Sequence, residues 1–133
     1  MMSPTERDPS RTAILMIAHG SRRAEANAEL RTIAEALRSR GRYAIVRVSY
    51  LELAEPNIAA GGESCVEAGA ANVIRLPFFL SPGRHVVEDL TAARDALAQK
   101  FTAVRFVLAE ALGSHPSILD VLEDRAREAE TLA

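Results

Sequence analysis

Residues 76–89 read LPFFLSPGRHVVED. An apolar strand leads into a Pro-Gly turn and then into an arginine, a histidine and two acids. Pro82 fixes its own φ and Gly83 permits conformations that other residues avoid, so the chain can reverse sharply here. In α/β domains, loops after strands carry binding and catalytic side chains in this way. The stretch therefore predicts a strand of a parallel sheet with a functional site at its carboxyl end.

The pattern of strand, loop and helix occurs four times along the chain. Apolar and β-branched runs predict strands over residues 12–18, 43–50, 72–80 and 102–109. Apolar residues at spacings of three and four predict helices over residues 24–40, 58–68 and 86–101, and a last helix that opens at residues 113–116. We expect the last helix to bury the residues Ile118, Leu119, Leu122 and Ala126.

Connections of this length exclude hairpins and predict right-handed crossovers between parallel strands. We expect a disordered tail at residues 1–11 and one α/β domain over residues 12–133. A four-stranded parallel sheet in the order 2-1-3-4, with helices on both faces, would place a ligand crevice between the first and third strands. Gly61 and Gly62 each disfavour the second helix by about 1 kcal/mol relative to alanine, so we expect it to be short, bent or frayed.

Composition excludes several classes of protein. The net charge of −2 argues against general nucleic-acid binding. No apolar run approaches the roughly 20 residues of a membrane span, and the first ten residues lack the apolar core of a signal peptide, so we expect a cytoplasmic protein. Cys65 is the only cysteine, which excludes an intramolecular disulfide and the usual ligand set of an iron–sulfur cluster.

Two histidines are the main candidates for chemistry. His19 follows the first strand and His85 follows the third, so the predicted strand order brings both to one crevice. Either one alone could be a hydrogen-bonded structural residue. Two neutral imidazoles together suit a borderline divalent metal and leave coordination positions open. The pair therefore indicates a site that handles a metal ion rather than one that holds it permanently.

Other polar residues surround the same predicted crevice. Glu52 ends the second strand and could accept protons or join the metal ligands, although for Glu52 and Glu55 a solvated loop carboxylate is an equally good explanation. Arg22, Arg23 and Arg84 favour an anionic substrate, because guanidinium groups bind carboxylates bidentately.

Three further residues have simpler interpretations. Glu88 and Asp89 lie in the first turn of the third helix, where the helix dipole favours acids. This explanation is the stronger one for Glu88. His115 precedes Pro116 at the start of the last helix, which favours a capping or packing role over metal binding.

Four motifs in this order carry a family resemblance. They are AHGSRR at residues 18–23, LELAEP at 51–56, PFFLSPGRH at 77–85 and LGSHP at 112–116. Together they resemble the small class II tetrapyrrole chelatases, the sirohydrochlorin cobaltochelatases and ferrochelatases of the CbiX/SirB family, over about residues 12–127. The resemblance implies a chelatase-like three-layer fold and ATP-independent insertion of a divalent metal into sirohydrochlorin, in cobalamin or siroheme biosynthesis.

The resemblance also implies roles for individual residues and partners. It makes His19 and His85 the metal ligands and, with Glu52, the catalytic residues. The residues that would bind the tetrapyrrole are Arg22, Arg23, Ser81 and Arg84. Co²⁺, Fe²⁺ or Ni²⁺ would be a substrate, with no organic cofactor, and the chain would act as a homodimer without nucleic acid or membrane.

Two other functions fit parts of the same pattern. A noncatalytic tetrapyrrole or metal carrier would use the same crevice. A histidine phosphatase also opens with a strand and His-Gly, but it needs an arginine directly before that histidine, and Ala18 stands there.

Overall fold

The structure is a computed structural model that describes residues 8–132. Its strands are β1 (Thr12–Ala18), β2 (Ile45–Tyr50), β3 (Asn72–Pro77) and β4 (Arg105–Leu108). Its helices are α1 (Ala24–Ser39), α2 (Ile58–Glu67), α3 (Arg84–Lys100) and α4 (Ser117–Glu130). Short 3₁₀ turns lie at Pro9–Arg11 and Leu112–Ser114. Most of the predicted tail, residues 1–7, lies outside the described residues, and its last three residues form the first of these turns.

The four strands form one parallel sheet in the order β2-β1-β3-β4, with helices on both faces. The predicted strand order and fold class are thereby confirmed. Ala18 pairs with Tyr50 and Ile17 pairs with Pro77, so β1, β2 and β3 end at the same level. Every loop that follows one of these strands therefore starts at the same edge of the sheet.

Three strands are shorter than their apolar runs predicted. β2 begins at Ile45, β3 ends at Pro77 and β4 covers only Arg105–Leu108. Phe79 shows the reason, because it lies in the loop after β3 and is nevertheless buried in the core. An apolar run in the sequence indicates which residues are buried, and the buried residues extend past the end of the hydrogen-bonded strand.

Each face of the sheet has its own apolar core. Leu15 and Val73 pack with Leu90 and Leu97 of α3 on the face that α2 and α3 cover. The opposite face packs against α1, through the residues Ile14, Met16, Leu30 and Val46. No helix within residues 8–132 is both long enough and apolar enough to cross a membrane.

The two glycines of α2 are buried rather than loosely ordered. A Cβ added at Gly61 would lie 2.9 Å from both Leu15 Cδ1 and Ser49 Cβ, and one at Gly62 would lie 2.7 Å from Leu97 Cδ1. At ten residues α2 is the shortest of the four helices in the described chain, as expected, but it is continuous, so the alternative of a frayed helix is wrong. Tertiary packing outweighs the low helix propensity, because only glycine lets the helix approach the sheet and α3 this closely.

The apolar stripe of α4 is also exposed, although the sequence predicted that it would be buried. The helix packs mainly against the 3₁₀ turn that precedes it, and none of its residues is buried. Of the predicted buried face, Leu119, Leu122 and Ala126 are exposed and Ile118 is only half-buried, so this expectation is wrong within the described chain. The amphipathic pattern is present, but no other element within residues 8–132 covers it.

Arg75 is an unusual core residue. Its side chain is fully buried in β3, and none of its three guanidinium nitrogens has a hydrogen-bond partner within residues 8–132. Burial, with a smaller contribution from the Arg94 guanidinium, lowers the pKa of Arg75 to about 10, and Asp95 opposes the shift. A charge that is buried without a partner costs folding free energy.

We predict that Gly61→Ala destabilises the protein by up to about 2 kcal/mol, because the added methyl group overpacks the contact with Leu15 and Ser49 at a cost of about 1–3 kcal/mol. The gain in helix propensity offsets about 1 kcal/mol of this cost. Urea unfolding measures the difference. An increase in the free energy of unfolding would show that the close approach is not required.

We predict that Arg75→Met stabilises the protein by about 1–4 kcal/mol, because it removes an unpaired buried charge and keeps an apolar side chain of similar length. The matched control is Arg47→Met in β2, since the Arg47 Nε donates to Ser64 Oγ at 3.1 Å and that bond is lost. Thermal unfolding of both variants tests this, and a lower midpoint for Arg75→Met would contradict it.

Candidate functional site

Backbone hydrogen bonds set His19 beside Glu52. The ladder between β1 and β2 continues past the strands, as the Leu51 N–H donates to the Ala18 carbonyl oxygen at 2.9 Å and the Glu52 N–H donates to the His19 carbonyl oxygen at 3.0 Å. Gly20 makes this approach possible. Its φ is +92°, and a Cβ there would overlap the Glu52 carbonyl group. The glycine after the histidine is therefore required for the two loops to lie side by side.

Asn27 of α1 holds the loop that carries His19. The Ser21 N–H donates to Asn27 Oδ1 at 2.9 Å, and Asn27 Nδ2 donates back to the Ser21 carbonyl oxygen at 2.8 Å. The Tyr50 hydroxyl at the end of β2 donates to the Asn27 carbonyl oxygen at 2.7 Å. This network connects the loop to both a helix and a strand, so the position of His19 depends on rigid elements.

The loop after the third strand supplies the contact that orients the imidazole. The ring of His19 meets the ring of Phe79 edge to face, with centroids 4.8 Å apart and planes at 90°. Phe79 is buried in the core, so its own ring is held in place. His19 is exposed, which leaves its nitrogens accessible from the crevice.

These elements enclose a cavity of about 330 Å³ at the carboxyl ends of the strands. Three polar side chains line it, from His19, Glu52 and Asp89, and the apolar lining is Leu51, Ile58 and Val86. The cavity lies between the starts of α2 and α3. An imidazole and two carboxylates therefore face one small space that is open to solvent.

The structure places the second predicted histidine outside this cavity. The His85 side chain is 98% exposed, and its Nδ1 lies 3.8 Å from Glu88 Oε2 on the same helix. Its neighbour Val86 lines the cavity. His19 and Glu52 are thus brought together, whereas His85 stands next to the site with its imidazole in solvent. Among residues 8–132, no three or more His, Cys, Asp or Glu side chains are placed to hold a metal ion by themselves.

The residues predicted to bind an anionic substrate are exposed and lie on the loops after β1 and β3 or, for Arg84, at the start of α3. Arg22 and Ser81 are exposed. Arg23 Nε is 3.8 Å from Glu25 Oε2, and Arg84 Nε donates to Glu88 Oε1 at 3.1 Å. Exposed ion pairs of this kind contribute little free energy, so these arginines can exchange their partners for a ligand's carboxylates.

Asp89 is the cavity residue that the sequence analysis did not select. The sequence placed it in the first turn, where the helix dipole favours an acid, but α3 begins at Arg84 and Asp89 lies in its second turn. The signal that could have identified it is its spacing, because Asp89 follows His85 by four residues and so shares its side of the helix.

Exposed apolar side chains lie next in sequence to residues that line or support the cavity, and together we refer to them as its apolar rim. Leu53 follows Glu52 and Val87 follows Val86, and both of these residues line the cavity. Leu80 follows Phe79, which contacts His19. All three apolar side chains are exposed. They belong to the loop after β2, the loop after β3 and the first turn of α3. An exposed apolar rim around a polar cavity is typical of a site for a large, partly apolar ligand.

His115 has the capping role that its sequence position predicted. Its Nδ1 accepts a hydrogen bond from the Ser117 N–H at 3.1 Å, at the start of α4. It does not line the cavity of His19.

Comparisons with known proteins identify the relatives of this chain. Residues 13–129 match the family model of CbiX. The chloroplastic sirohydrochlorin ferrochelatase of Arabidopsis thaliana is 38% identical over 112 residues, which are 84% of this chain and 50% of that protein. The chain spans about half the length of the first curated relatives that it matches.

Two solved structures share the fold. The CbiX protein of Marinobacter aquaeolei VT8 superposes with a TM-score of 0.81 at 26% identity, over 92% of this chain and 99% of that one. The sirohydrochlorin chelatase SirB of Bacillus subtilis subspecies spizizenii, in complex with cobalt, has a TM-score of 0.80 at 26% identity, over 89% of this chain and 50% of that one. Because the family match extends over nearly all of the described residues, the chain belongs to the CbiX family.

Proposed function

We propose that this protein is a chelatase that inserts a divalent metal ion into sirohydrochlorin without ATP. The observation that carries the proposal is the cavity at the carboxyl ends of β1 and β2, where an imidazole and two carboxylates lie under an apolar rim. Relatives named sirohydrochlorin ferrochelatase and sirohydrochlorin cobaltochelatase, and the SirB structure with cobalt, support the same reaction.

Metal insertion requires two changes at the macrocycle. The ion must lose its water ligands, and two pyrrole N–H bonds must break as the ring nitrogens bind the metal. No electrons are transferred, because a divalent ion replaces two protons. A protein can lower this barrier by holding the ion on a neutral nitrogen ligand while nearby bases take the protons.

The described residues match these requirements. His19 offers an imidazole nitrogen to the ion at the cavity wall. Glu52 and Asp89 line the same cavity and can each accept one pyrrole proton, which then passes to solvent through the open mouth. Few protein ligands are needed, since the ring nitrogens take over the coordination positions.

We assign His85 as the second metal ligand. It begins α3 one residue before Val86, which lines the cavity. Its only close polar contact within the described residues is the exposed one with Glu88, so turning towards His19 would break no buried interaction. An ion at the mouth of the cavity would then be bound by His19 from the loop after β1 and by His85 from the start of α3.

Substrate binding follows from the surroundings of the cavity. Sirohydrochlorin is a flexible macrocycle rich in carboxylates. Its ring would lie on the apolar rim of Leu53, Leu80 and Val87. Its carboxylates would be bound by the exposed polar residues Arg22, Arg23, Ser81 and Arg84.

We further propose a cytoplasmic homodimer that uses Co²⁺ for cobalamin or Fe²⁺ for siroheme. Ni²⁺ also suits imidazole ligands, and affinity follows the Irving–Williams order whatever the pathway needs. The divalent metal ion that is available in the cell would therefore determine which metallated product forms. The other candidate function, a noncatalytic carrier, would bind sirohydrochlorin without accelerating metal insertion.

We predict that His19→Ala and His85→Ala each lower the rate of cobalt insertion at least about tenfold, because each removes a ligand of the incoming ion. The matched control is His115→Asn, whose side chain can still accept the Ser117 N–H, and it should keep the normal rate. Absorbance of the metallated product measures the rate. Near-normal rates in both alanine variants would remove the assignment, and a wild-type rate equal to the buffer rate would favour the carrier.

We predict that Glu52→Gln and Asp89→Asn each slow insertion about 100-fold or more while the variants still bind sirohydrochlorin, because an amide cannot accept a pyrrole proton. Glu55→Gln in the same loop is the control, since Glu55 does not line the cavity. Insertion rates and tetrapyrrole titrations separate chemistry from binding. Equal rates for all three variants would show that water takes the protons.

A further inference from the structure

Glu88 is an acid that the helix dipole does not explain. The sequence placed it in the first turn of the third helix, but α3 begins at Arg84, so Glu88 lies in the second turn and the first turn holds no acid. The dipole favours acids mainly within the first turn of a helix. The Glu88 side chain is 57% exposed, so it is also not part of the core.

The carboxylate of Glu88 contacts two residues of the proposed site. Arg84 Nε donates to Glu88 Oε1 at 3.1 Å, and His85 Nδ1 lies 3.8 Å from Glu88 Oε2. Arg84 is a proposed substrate-binding residue, and His85 is the proposed second metal ligand. Each oxygen of this one carboxylate therefore faces a different functional residue.

Helix stability does not explain the pair of Arg84 and Glu88. An ion pair at a spacing of four stabilises a helix more when the acid precedes the base, and here the arginine comes first. Both side chains are largely exposed, so water screens the attraction between them. A contribution to folding is therefore not a sufficient reason for an acid at this position.

The helix places His85 between Glu88 and the cavity. At about 100° per residue, Glu88 lies about 60° from His85 around α3 in one direction, and Asp89 lies about 40° from it in the other. Val86 lies farther round on the side of Asp89, and both of these residues line the cavity. The imidazole can therefore lie with one edge towards Glu88 and the opposite edge towards the cavity.

His85 needs a partner of this kind, because no other polar group restrains its ring. The side chain is 98% exposed, and Glu88 is its one close polar neighbour within residues 8–132. The ring of His19, by contrast, is packed edge to face on Phe79. A side chain that moves freely loses conformational entropy when it binds an ion, and a contact that already restrains it reduces that loss.

Metal binding by a neutral imidazole also requires the right nitrogen to be free. One ring nitrogen binds the ion and the other carries the proton. A carboxylate that accepts this N–H fixes the tautomer, orients the ring and strengthens the bond to the metal. Glu88 faces Nδ1, which leaves Nε2 for the ion. The 3.8 Å separation exceeds the length of an N–H···O hydrogen bond by more than about 0.5 Å, which small rotations of two exposed side chains can close.

We propose that Glu88 is the positioning residue of His85, which accepts the Nδ1–H and so directs Nε2 to the incoming ion. This proposal rests on the metal-ligand role of His85 in the proposed function and names the group that orients that ligand. Glu88 itself binds neither the ion nor the macrocycle.

Arg84 would complete the arrangement. It holds the Glu88 carboxylate through Nε, and the remaining N–H groups of its guanidinium are left for a carboxylate of the tetrapyrrole. Substrate recognition and metal binding would thus meet at Glu88. A bound macrocycle would restrain Arg84, and through Glu88 it would also restrain the imidazole of His85.

The first test determines which nitrogen of His85 binds a metal ion. The probe is Zn²⁺ alone, because it is diamagnetic and binds imidazole well. Long-range ¹H–¹⁵N spectra of ¹⁵N-labelled protein distinguish protonated, free and metal-bound ring nitrogens, and His85→Ala assigns the signals. We expect Zn²⁺ on Nε2 and the proton on Nδ1. Zn²⁺ on Nδ1 would overturn the proposal, because Glu88 then has no N–H to accept.

The second test compares Glu88→Met with Glu55→Met, which removes the same charge from a loop residue that does not line the cavity. We expect Glu88→Met to raise the Kd for Zn²⁺ about tenfold or more, and its Nδ1–H signal to broaden by exchange with water. Glu55→Met should keep the wild-type Kd. Methionine favours helices, so the exposed position in α3 should tolerate it.

The titration is a competition against a chromophoric chelator. Equal Kd values for wild type and Glu88→Met, or an equal loss in both variants, would overturn the proposal. Neither test uses the tetrapyrrole. Zn²⁺ that leaves the His85 signals unchanged would reject both this proposal and the assignment of His85 as a ligand. A protein that passes both tests and yet inserts no metal would reject the proposed function alone.

Discussion

The site depends on one backbone constraint, the close parallel approach of the loops after β1 and β2. Two N–H groups of the second loop donate to the carbonyl groups of Ala18 and His19, and Gly20 is the residue that leaves room for this. Because the strands are parallel and in register, the loop after β3 reaches the same edge. The imidazole of His19, the carboxylate of Glu52 and the ring of Phe79 meet there as a consequence.

The residues around these two loops form two kinds of surface, and each would serve a different part of the proposed reaction. A small polar cavity holds the imidazole and the two carboxylates that metal exchange needs. Exposed leucines, a valine and arginines around it suit a large macrocycle with acidic side chains. Under this proposal the rigid sheet edge would supply the chemistry, while the exposed loops would supply binding and could adjust to a flexible substrate.

Sequence reasoning predicted the parts of the molecule that depend on local pattern. The strand order and the meeting of His19 with Glu52 follow from four strand–helix repeats and the rule that parallel strands end together. It failed where tertiary packing decides. Gly61 and Gly62 have low helix propensity but are required by a close helix contact, and the apolar stripe of α4 does not reveal which surface covers it. Arg75, which no sequence pattern singled out, is buried, and Asp89, for which the helix dipole offered an explanation, lines the cavity.

The central claim is that metal exchange takes place at the cavity of His19. The most direct measurement is a crystal structure of the protein with Co²⁺, with the ion located by anomalous diffraction at the cobalt edge. The account predicts cobalt at the mouth of the cavity, with a His19 ring nitrogen about 2.1 Å away and His85 turned towards the ion. Cobalt bound elsewhere, with the His19 imidazole still free and packed on Phe79, would contradict it.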